Sequence, residues 1–169
     1  MQKIAKFHKV DLEQFKTDWT DTFGETENLE EIYDKIVMPK RATVGSAGYD
    51  FYAPCTFELK SGETVKIPTG IRCKIADGWV LMCFPRSGMG FKYRMQLDIT
   101  VGIIDADYFE ADNQGHIMIK ITNDSKTDKV LTIEQGKGFS QGIFVPFGIT
   151  EDDEVEVKRT GGFGSTDAI

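Results

Sequence analysis

Two aspartates, Asp105 and Asp107, follow a stretch of alternating apolar residues that ends at Ile104. On an extended strand, side chains two positions apart point to the same side of the sheet. Two carboxylates placed in this way can bind a divalent ion or orient a water molecule. A strand that ends in an aspartate-containing turn is the alternative, and this segment alone leaves both interpretations open.

A second candidate segment, residues 85–90 (PRSGMG), follows the strongly hydrophobic run 79–84. Arg86 stands beside Ser87, and Gly88 leaves its own N–H group unobstructed. The planar guanidinium of arginine and exposed backbone N–H groups both suit phosphate oxygens. The segment therefore indicates either a phosphate-binding loop or a capped loop after a strand.

Two further segments combine small residues with one polar side chain. Residues 45–50 (GSAGYD) allow a close backbone approach and end at Asp50, although a turn with a solvated aspartate fits equally. Residues 136–143 predict a tight turn into a strand, in which Gln141 is the polar group expected to face inward. A purely structural turn is the alternative there.

The chain ends in a glycine-rich segment that also carries cations and one aromatic ring. Such a segment cannot hold regular structure without help, so a disordered tail is one interpretation. The other is an arm that folds over a phosphorylated ring. Phe163 would then stack on a base while Arg159 meets phosphates.

Other kinds of chemistry find little support. The two histidines, His8 and His116, lie far apart, so a histidine-ligated zinc site is not expected. The nucleophile-elbow, Walker A and dinucleotide-binding glycine motifs are absent from the sequence. Cys55, Cys73 and Cys83 lie in or beside apolar β-like segments. They predict core packing in a reducing cytosol rather than a disulfide framework.

Residues 1–34 are predicted to form a helical N-terminal extension. Asp11 is a plausible N-cap, apolar residues follow at positions 12, 15, 19 and 23, and Gly24 ends the pattern. Asn28 is expected to cap a second, short helix. The apolar face of this extension would pack either on its own domain or on a neighbouring subunit or partner.

Residues 35–158 show short, β-branched apolar pieces separated by turn residues, and residues 159–169 form the C-terminal arm. This pattern predicts an all-β sandwich, barrel or jelly roll. The 169 residues suffice for one domain, and the net charge of −7 argues against a protein that coats nucleic acid. Apolar runs of signal-peptide or membrane-span length are missing, which predicts a cytoplasmic protein.

Taken in order, the five segments resemble the motifs of the trimeric dUTPase (deoxyuridine triphosphate nucleotidohydrolase) family. The resemblance implies a jelly-roll-like distorted β-barrel and a homotrimer with active sites at subunit interfaces. It runs from about residue 35 to residue 166. The matching segments are 47–50 (AGYD), 85–88 (PRSG), 102–108 (GIIDADY), 136–141 (GKGFSQ) and 161–166 (GGFGST).

The implied reaction is Mg²⁺-assisted hydrolysis of dUTP to dUMP and pyrophosphate, which limits uracil incorporation into DNA and supplies dUMP for dTMP synthesis. By the resemblance, Asp105 holds the attacking water, Asp50 reaches the metal through water, and Tyr108 packs against deoxyribose. The remaining residues implied to bind substrate are Arg86, Ser87, Gly88 and Gln141 at the phosphates, Phe163 over the uracil, and Ile99, Gly102, Ile103, Met118, Arg159, Gly164 and Ser165.

The chain departs from the family pattern in several places. Lys137 and Gly138 stand where the fourth motif usually carries an acid and an arginine, so Lys137 or Lys158 would take over the phosphate contact. An insert, residues 109–114, precedes Gly115. The insert and the N-terminal extension could serve oligomer contacts or a protein partner. A dCTP deaminase on the same fold and a non-catalytic nucleotide-binding regulatory module are the alternative functions.

Overall fold

The computed structural model describes residues 2–157, 159 and 161, and most of its regular structure is antiparallel strand. Helices α1 (Leu12–Phe23) and α2 (Leu29–Asp34) precede most of the strands, and α3 (Ser87–Tyr93) and a 3-10 helix (Ala106–Glu110) lie between strands. The strands are β1 (Ala5–Lys9), β2 (Lys40–Arg41), β3 (Tyr49–Tyr52), β4 (Phe57–Leu59), β5 (Thr64–Pro68), β6 (Ile71–Ile75), β7 (Trp79–Pro85), β8 (Met95–Leu97), β9 (Gly102–Ile104), β10 (Met118–Asn123), β11 (Leu131–Ile133) and β12 (Gly138–Pro146).

The largest sheet has five strands in the order β2-β3-β12-β7-β9, with β12 paired to both β3 and β7. A three-stranded sheet, β5-β10-β8, and the pairs β1-β6 and β11-β4 complete the framework. All of these pairings are antiparallel. The predicted jelly-roll-like all-β fold is confirmed. Because β12 lies between β3 and β7, segments far apart in sequence meet at its start.

The core lies between the sheets and follows the alternation of the strands. In β6, for example, Ile71, Cys73 and Ile75 are buried, whereas Lys74 is exposed. Burial raises the pKa of both the Cys73 and Cys83 thiols to about 12, so they stay protonated and pack as small apolar groups. This agrees with the packing role predicted for the cysteines.

The N-terminal segment is not wholly helical as predicted, because residues 5–9 form strand β1. This strand pairs with β6 in the register that sets Phe7 opposite Cys73. Ala5 and Phe7 alternate with Lys6 and His8, which is the period of a strand rather than of a helix. The pairing also covers one edge of β6, whose backbone groups would otherwise need other partners.

Helix α1 has the predicted ends and packs on its own β domain. The Asp11 carboxylate accepts a hydrogen bond from the Gln14 N–H at 2.8 Å, and Gly24 is the C-cap residue. Phe15 and Trp19 are 0% and 3% exposed, so this apolar face is used within the chain. At 12 residues α1 is the longest helix described, and in the part of the chain that the structure covers no helix is long and apolar enough to cross a bilayer.

Gly115 follows the insert at a position that only glycine can occupy without strain. Its φ is +68°, and a Cβ there would clash with the Tyr108 carbonyl oxygen and lie 2.8 Å from the Phe109 Cα. Gly115→Ala is expected to lower the free energy of unfolding by about 2–5 kcal/mol, since backbone strain and overpacking add. Urea unfolding at one fixed protein concentration measures the loss.

Gly136→Ala is the matched control for that variant. Gly136 also has a positive φ, +75°, but a Cβ there meets nothing within 4 Å. Only the strain of the left-handed backbone applies at Gly136, so the free energy of unfolding is expected to fall by a smaller amount, about 1–2 kcal/mol. Equal losses for the two variants would contradict the crowding of Gly115 against the backbone of Tyr108 and Phe109.

Candidate active site

The first, second and fourth motif segments meet where β12 begins. In the β12 pairings Gln141 lies opposite Asp50 on β3 and opposite Phe84 on β7. The Arg86 Nε lies 3.3 Å from the Asp50 carboxylate Oδ1, and the Arg86 Nη1 donates a hydrogen bond to the Gly138 carbonyl oxygen at 3.2 Å. A cation, a carboxylate and an amide side chain thus stand side by side, and Asp50 is paired rather than freely solvated.

Two glycines make this close packing possible. A Cβ at Gly138 would lie 2.8 Å from the Arg86 Nη1, and a Cβ at Gly48 would lie 2.6 Å from the Gln141 Oε1. Real Cβ atoms are not found at such distances, so larger residues would displace Arg86 or Gln141. Gly138 stands where the family pattern has an arginine, and the Arg86 guanidinium lies over that position instead.

A cleft of ≈ 350 Å³ opens beside Arg86. The residues after Arg86, expected to form a loop, begin the short helix α3. The N–H groups of Ser87 and Gly88 lie in its first turn and have no intrahelical acceptor. The cleft is lined by Arg86, Ser87, Gly88, Met89, Lys92, Tyr93, Thr132 and Gly138.

Lys92 is a cation of this cleft that the sequence analysis missed. It follows Gly88 by four positions, a spacing that places both residues on one face of a helix. The spacing of Gly88 and Lys92 would have indicated this residue if residues 87–93 had been predicted as a helix rather than a loop. Lys137 does not belong to the residues that line the cleft.

A second group of polar side chains surrounds the start of the 3-10 helix. The Arg159 Nη2 lies 3.4 Å from the Asp105 Oδ2, and the Arg159 Nε lies 4.0 Å from the Asp107 Oδ1. The guanidinium carbon of Arg159 lies 5.5 Å from the ring centroid of Tyr108. The two carboxylates converge as predicted, but Asp107 belongs to the 3-10 helix and not to a strand.

Arg159 lies beside Asp105 and Asp107 rather than in the cleft lined by Arg86, and its contact with phosphate stays a prediction. Its side chain is 17% exposed and contacts the carboxylates of its own chain, while 47% of the Asp105 side chain is exposed. Electrostatic attraction explains the difference, because a guanidinium near two carboxylates and an aromatic face gains from each of them. The sequence spacing gave no indication of this pairing.

The loop between β8 and β9, which belong to different sheets, strand β9 and the start of β10 carry four further candidates. Ile99 and Ile103 are 58% and 45% exposed, whereas Gly102 is buried. Ile99, Gly102 and Met118 line a mainly apolar cavity of ≈ 20 Å³, which is room for about one water molecule. Ile103 is not among the residues that line it.

A model of the dUTPase family matches residues 34–167 of the chain. The chain belongs to the dUTPase family. The deoxyuridine 5′-triphosphate nucleotidohydrolase of Lactococcus lactis subsp. lactis is 43% identical over 136 residues, which span 79% of this chain and 89% of that protein. The dUTPase of Streptococcus mutans matches with a TM-score of 0.63 and 32% identity, covering 86% of this chain and 98% of that one.

A more distant structure supports the fold alone. A variant of the dUTPase from phage phi11 of Staphylococcus aureus matches with a TM-score of 0.63 and 20% identity, covering 92% of this chain and 98% of that one. That structure is described as revealing the coordination of a structural Mg(II) ion. The family model begins at residue 34, so strand β1 and helix α1 lie outside the matched region.

The two candidate clusters of this dUTPase-family chain lie at opposite ends of one strand pair. Ile104 on β9 is opposite Leu81 on β7, which sets Asp105 beside residue 80, six positions before Arg86. At the rise of an extended strand, the Asp105 and Arg86 backbones are about 20 Å apart. Side chains project across a strand rather than along it, and Arg86 contacts Asp50 and Gly138, so the Asp105 and Arg86 side chains do not converge within one chain.

The candidates Phe163, Gly164 and Ser165 lie outside the described residues, and so does Lys158. Their predicted roles at the uracil and the phosphates therefore stay predictions. Within residues 2–157, 159 and 161, no group of three or more histidine, cysteine, aspartate or glutamate side chains could hold a metal ion. Any metal held here needs ligands beyond such a cluster.

Proposed function

We propose that the chain hydrolyses dUTP to dUMP and pyrophosphate, and that it does so as a homotrimer with active sites at the subunit interfaces. The observation that carries the proposal is the separation of about 20 Å between Asp105 and Arg86 along the β7–β9 pair. Within one chain the Asp105 and Arg86 side chains do not converge on one site, because Arg86 contacts Asp50 and Gly138 instead. A neighbouring copy that supplies its own Arg86 cluster to the Asp105 of the first chain completes the site.

Asp105 is the proposed water-holding carboxylate. Its side chain is 47% exposed, so a water molecule can reach it, and a carboxylate in that position can orient the water and accept its proton. The Arg159 guanidinium, 3.4 Å from the Oδ2 of this carboxylate, would shift toward the substrate when a nucleotide binds. A bound triphosphate provides the competing negative charge, which is consistent with the predicted contact between Arg159 and phosphate.

The phosphates would lie in the cleft beside α3. Arg86 offers a planar, two-pronged donor, and the free N–H groups of Ser87 and Gly88 add neutral donors. Gln141 packs against Gly48 next to the Arg86–Asp50 pair and supplies an amide. Lys92, which lines the same cleft, would supply the second cation at the phosphates, the role predicted for Lys137 or Lys158.

The residues fit a bound Mg²⁺ held through Asp50. Magnesium favours oxygen ligands, keeps several waters, and is usually bound by one or two carboxylates together with substrate phosphates. Asp50 lies next to the proposed phosphate cleft, and its carboxylate contacts Arg86. A bound Mg²⁺ would neutralise phosphate charge in the transition state. Arg86 would orient the Asp50 carboxylate for that role.

The base and sugar would lie against the loop between β8 and β9. Ile99, Gly102, Ile103 and Met118 border that region, and the cavity of ≈ 20 Å³ is too small for a pyrimidine, so the base would widen it. Backbone groups of this loop would read the uracil edge, because the candidate side chains Ile99, Ile103 and Met118 are apolar. Tyr108 would pack against deoxyribose, and Phe163, Gly164 and Ser165 of the arm would close the site.

One incubation tests the reaction and its alternatives. The protein with Mg²⁺ is given dUTP, dCTP, dTTP or UTP separately, and pyrophosphate and ammonia are assayed. Rapid pyrophosphate release from dUTP, with far slower release from the other three, is the expected result. Ammonia from dCTP would instead identify a deaminase, and no turnover of any nucleotide would favour the binding module.

A further inference from the structure

The N-terminal extension and the insert are bound to each other, although about a hundred residues separate them. The Asp11 N–H donates to the Gln114 Oε1 at 3.0 Å, and the Gln114 Nε2 donates to the Asp11 carboxylate at 2.5 Å. The Arg72 guanidinium lies 3.6 Å from the Phe109 ring centroid and donates to the Phe109 carbonyl oxygen. Both additions therefore make specific contacts within their own chain.

His116, two residues after the insert, provides a second link between this region and the N-terminal extension. Its ring is fully buried, and its Nε2 accepts a hydrogen bond from the Gly70 N–H at 2.7 Å. The ring proton must therefore be on Nδ1, which donates to the Asp18 carboxylate at 2.5 Å. Burial acts to raise the pKa of Asp18, but hydrogen bonds from His116 and Gln14 hold it below its ordinary value, so the carboxylate stays ionised and accepts both bonds.

His116 and the insert residue Asn113 fix the hydroxyl group of Tyr108. The Tyr108 hydroxyl donates to the His116 carbonyl oxygen at 2.8 Å, and the Asn113 Nδ2 donates to the Tyr108 Oη at 2.8 Å. Asn113 is itself oriented, because its Oδ1 accepts from the Gly115 N–H at 3.1 Å. The phenol is therefore held as a donor and as an acceptor, at the end of the ring farthest from the backbone.

We propose that Asn113 is a positioning residue for Tyr108, supported by the Asp18–His116 pair, and that it thereby sets the discrimination between deoxyribose and ribose nucleotides. The inference rests on the proposed function, in which Tyr108 packs against the sugar. Tyr108 is 2% exposed and the Arg159 guanidinium lies over its ring, so a sugar reaches the ring when Arg159 moves. The two hydrogen bonds of the hydroxyl then hold the ring in place against a 2′-hydroxyl. The insert and the extension thus act on the sugar through Tyr108.

Asn113→Ala tests this role without touching a group that meets substrate. The ratio of kcat/KM for UTP to that for dUTP is expected to rise about tenfold, the effect of one lost hydrogen bond on the position of the ring. Asp112→Ala, a change of the neighbouring exposed residue in the same insert, is the matched control and leaves the ratio unchanged. A variant Asn113→Ala that keeps the wild-type ratio would overturn the proposal, even if its thermal stability falls.

Asp18 offers a second, independent measurement. Asp18→Asn keeps an oxygen that accepts from the His116 Nδ1–H and is expected to retain the wild-type ratio, whereas Asp18→Leu removes the acceptor and raises the ratio. If the two variants have equal ratios of kcat/KM for UTP to kcat/KM for dUTP, the Asp18–His116 pair does not support the position of Tyr108. If the wild-type protein itself leaves dUTP intact, the proposed function fails. If it prefers dUTP and Asn113→Ala does so equally, only the positioning role fails.

Discussion

Asp105→Asn is expected to lower the rate of dUTP hydrolysis by about 10²–10⁴-fold. Asparagine has the shape of aspartate but cannot accept a proton from the attacking water. The variant also loses the ion pair between Asp105 and Arg159. The Asp107 carboxylate stays near the same guanidinium, so Arg159 keeps one acidic partner. Pyrophosphate release under substrate saturation measures the effect, and undiminished hydrolysis would end the proposed mechanism.

Asp107→Asn is the matched control for that experiment. Asp107 contacts the same guanidinium at 4.0 Å and its side chain is 55% exposed, against 47% for Asp105. The change removes the same charge two positions away, so a general electrostatic effect would weaken both variants alike. Near-wild-type hydrolysis by Asp107→Asn assigns the loss in Asp105→Asn to the water-holding carboxylate itself.

Mixing two inactive variants is expected to restore activity. If a site takes Asp105 from one protomer and Arg86 from its neighbour, trimers that contain both Asp105→Asn and Arg86→Gln chains hold some sites with neither change. In a cyclic trimer each site takes one residue from each of two neighbouring chains, and each residue is unchanged in half of the chains. Random assembly of equal amounts therefore leaves about a quarter of the sites intact. Pyrophosphate release after joint unfolding and refolding measures the recovery, relative to wild type treated in the same way.

The control mixture combines Asp105→Asn with a chain that carries both substitutions. Every site there contains the asparagine, so no recovery is expected whichever chains share the site. A lack of recovery in the first mixture, with mixed trimers verified by mass spectrometry, would place Asp105 and Arg86 of one chain in the same site. That outcome contradicts the separation along the β7–β9 pair.

Local sequence patterns predicted the elements whose signals are local. The cap at Asp11 and the end of helix α1 at Gly24 match the structure, because caps and glycine ends act within a few residues. Strand β1 was missed because its alternation is short and lies next to a strong helix signal. Helix α3 was missed because Gly88 and Gly90 weaken its helical pattern.

The candidate site was predictable in part. The order of the five segments identified Asp50, Arg86 and Gln141, which the fold brings together at the start of β12. Sequence reasoning did not locate Arg159 beside Asp105, or the Arg86 guanidinium over Gly138, since both depend on packing between distant segments. The hydrogen bonds that join residues near 11–18 to residues near 113–116 are of the same kind.

Those long-range bonds bear on how the protein can be rebuilt. A chimera that exchanges residues 2–34 alone leaves Gln114 and the buried His116 facing a foreign surface, since Asp11 and Asp18 are their partners. Replacing only the insert has the reciprocal result for Asp11. The extension and residues 109–116, which hold both the insert and His116, form one transferable unit, and a graft that respects this boundary moves them together.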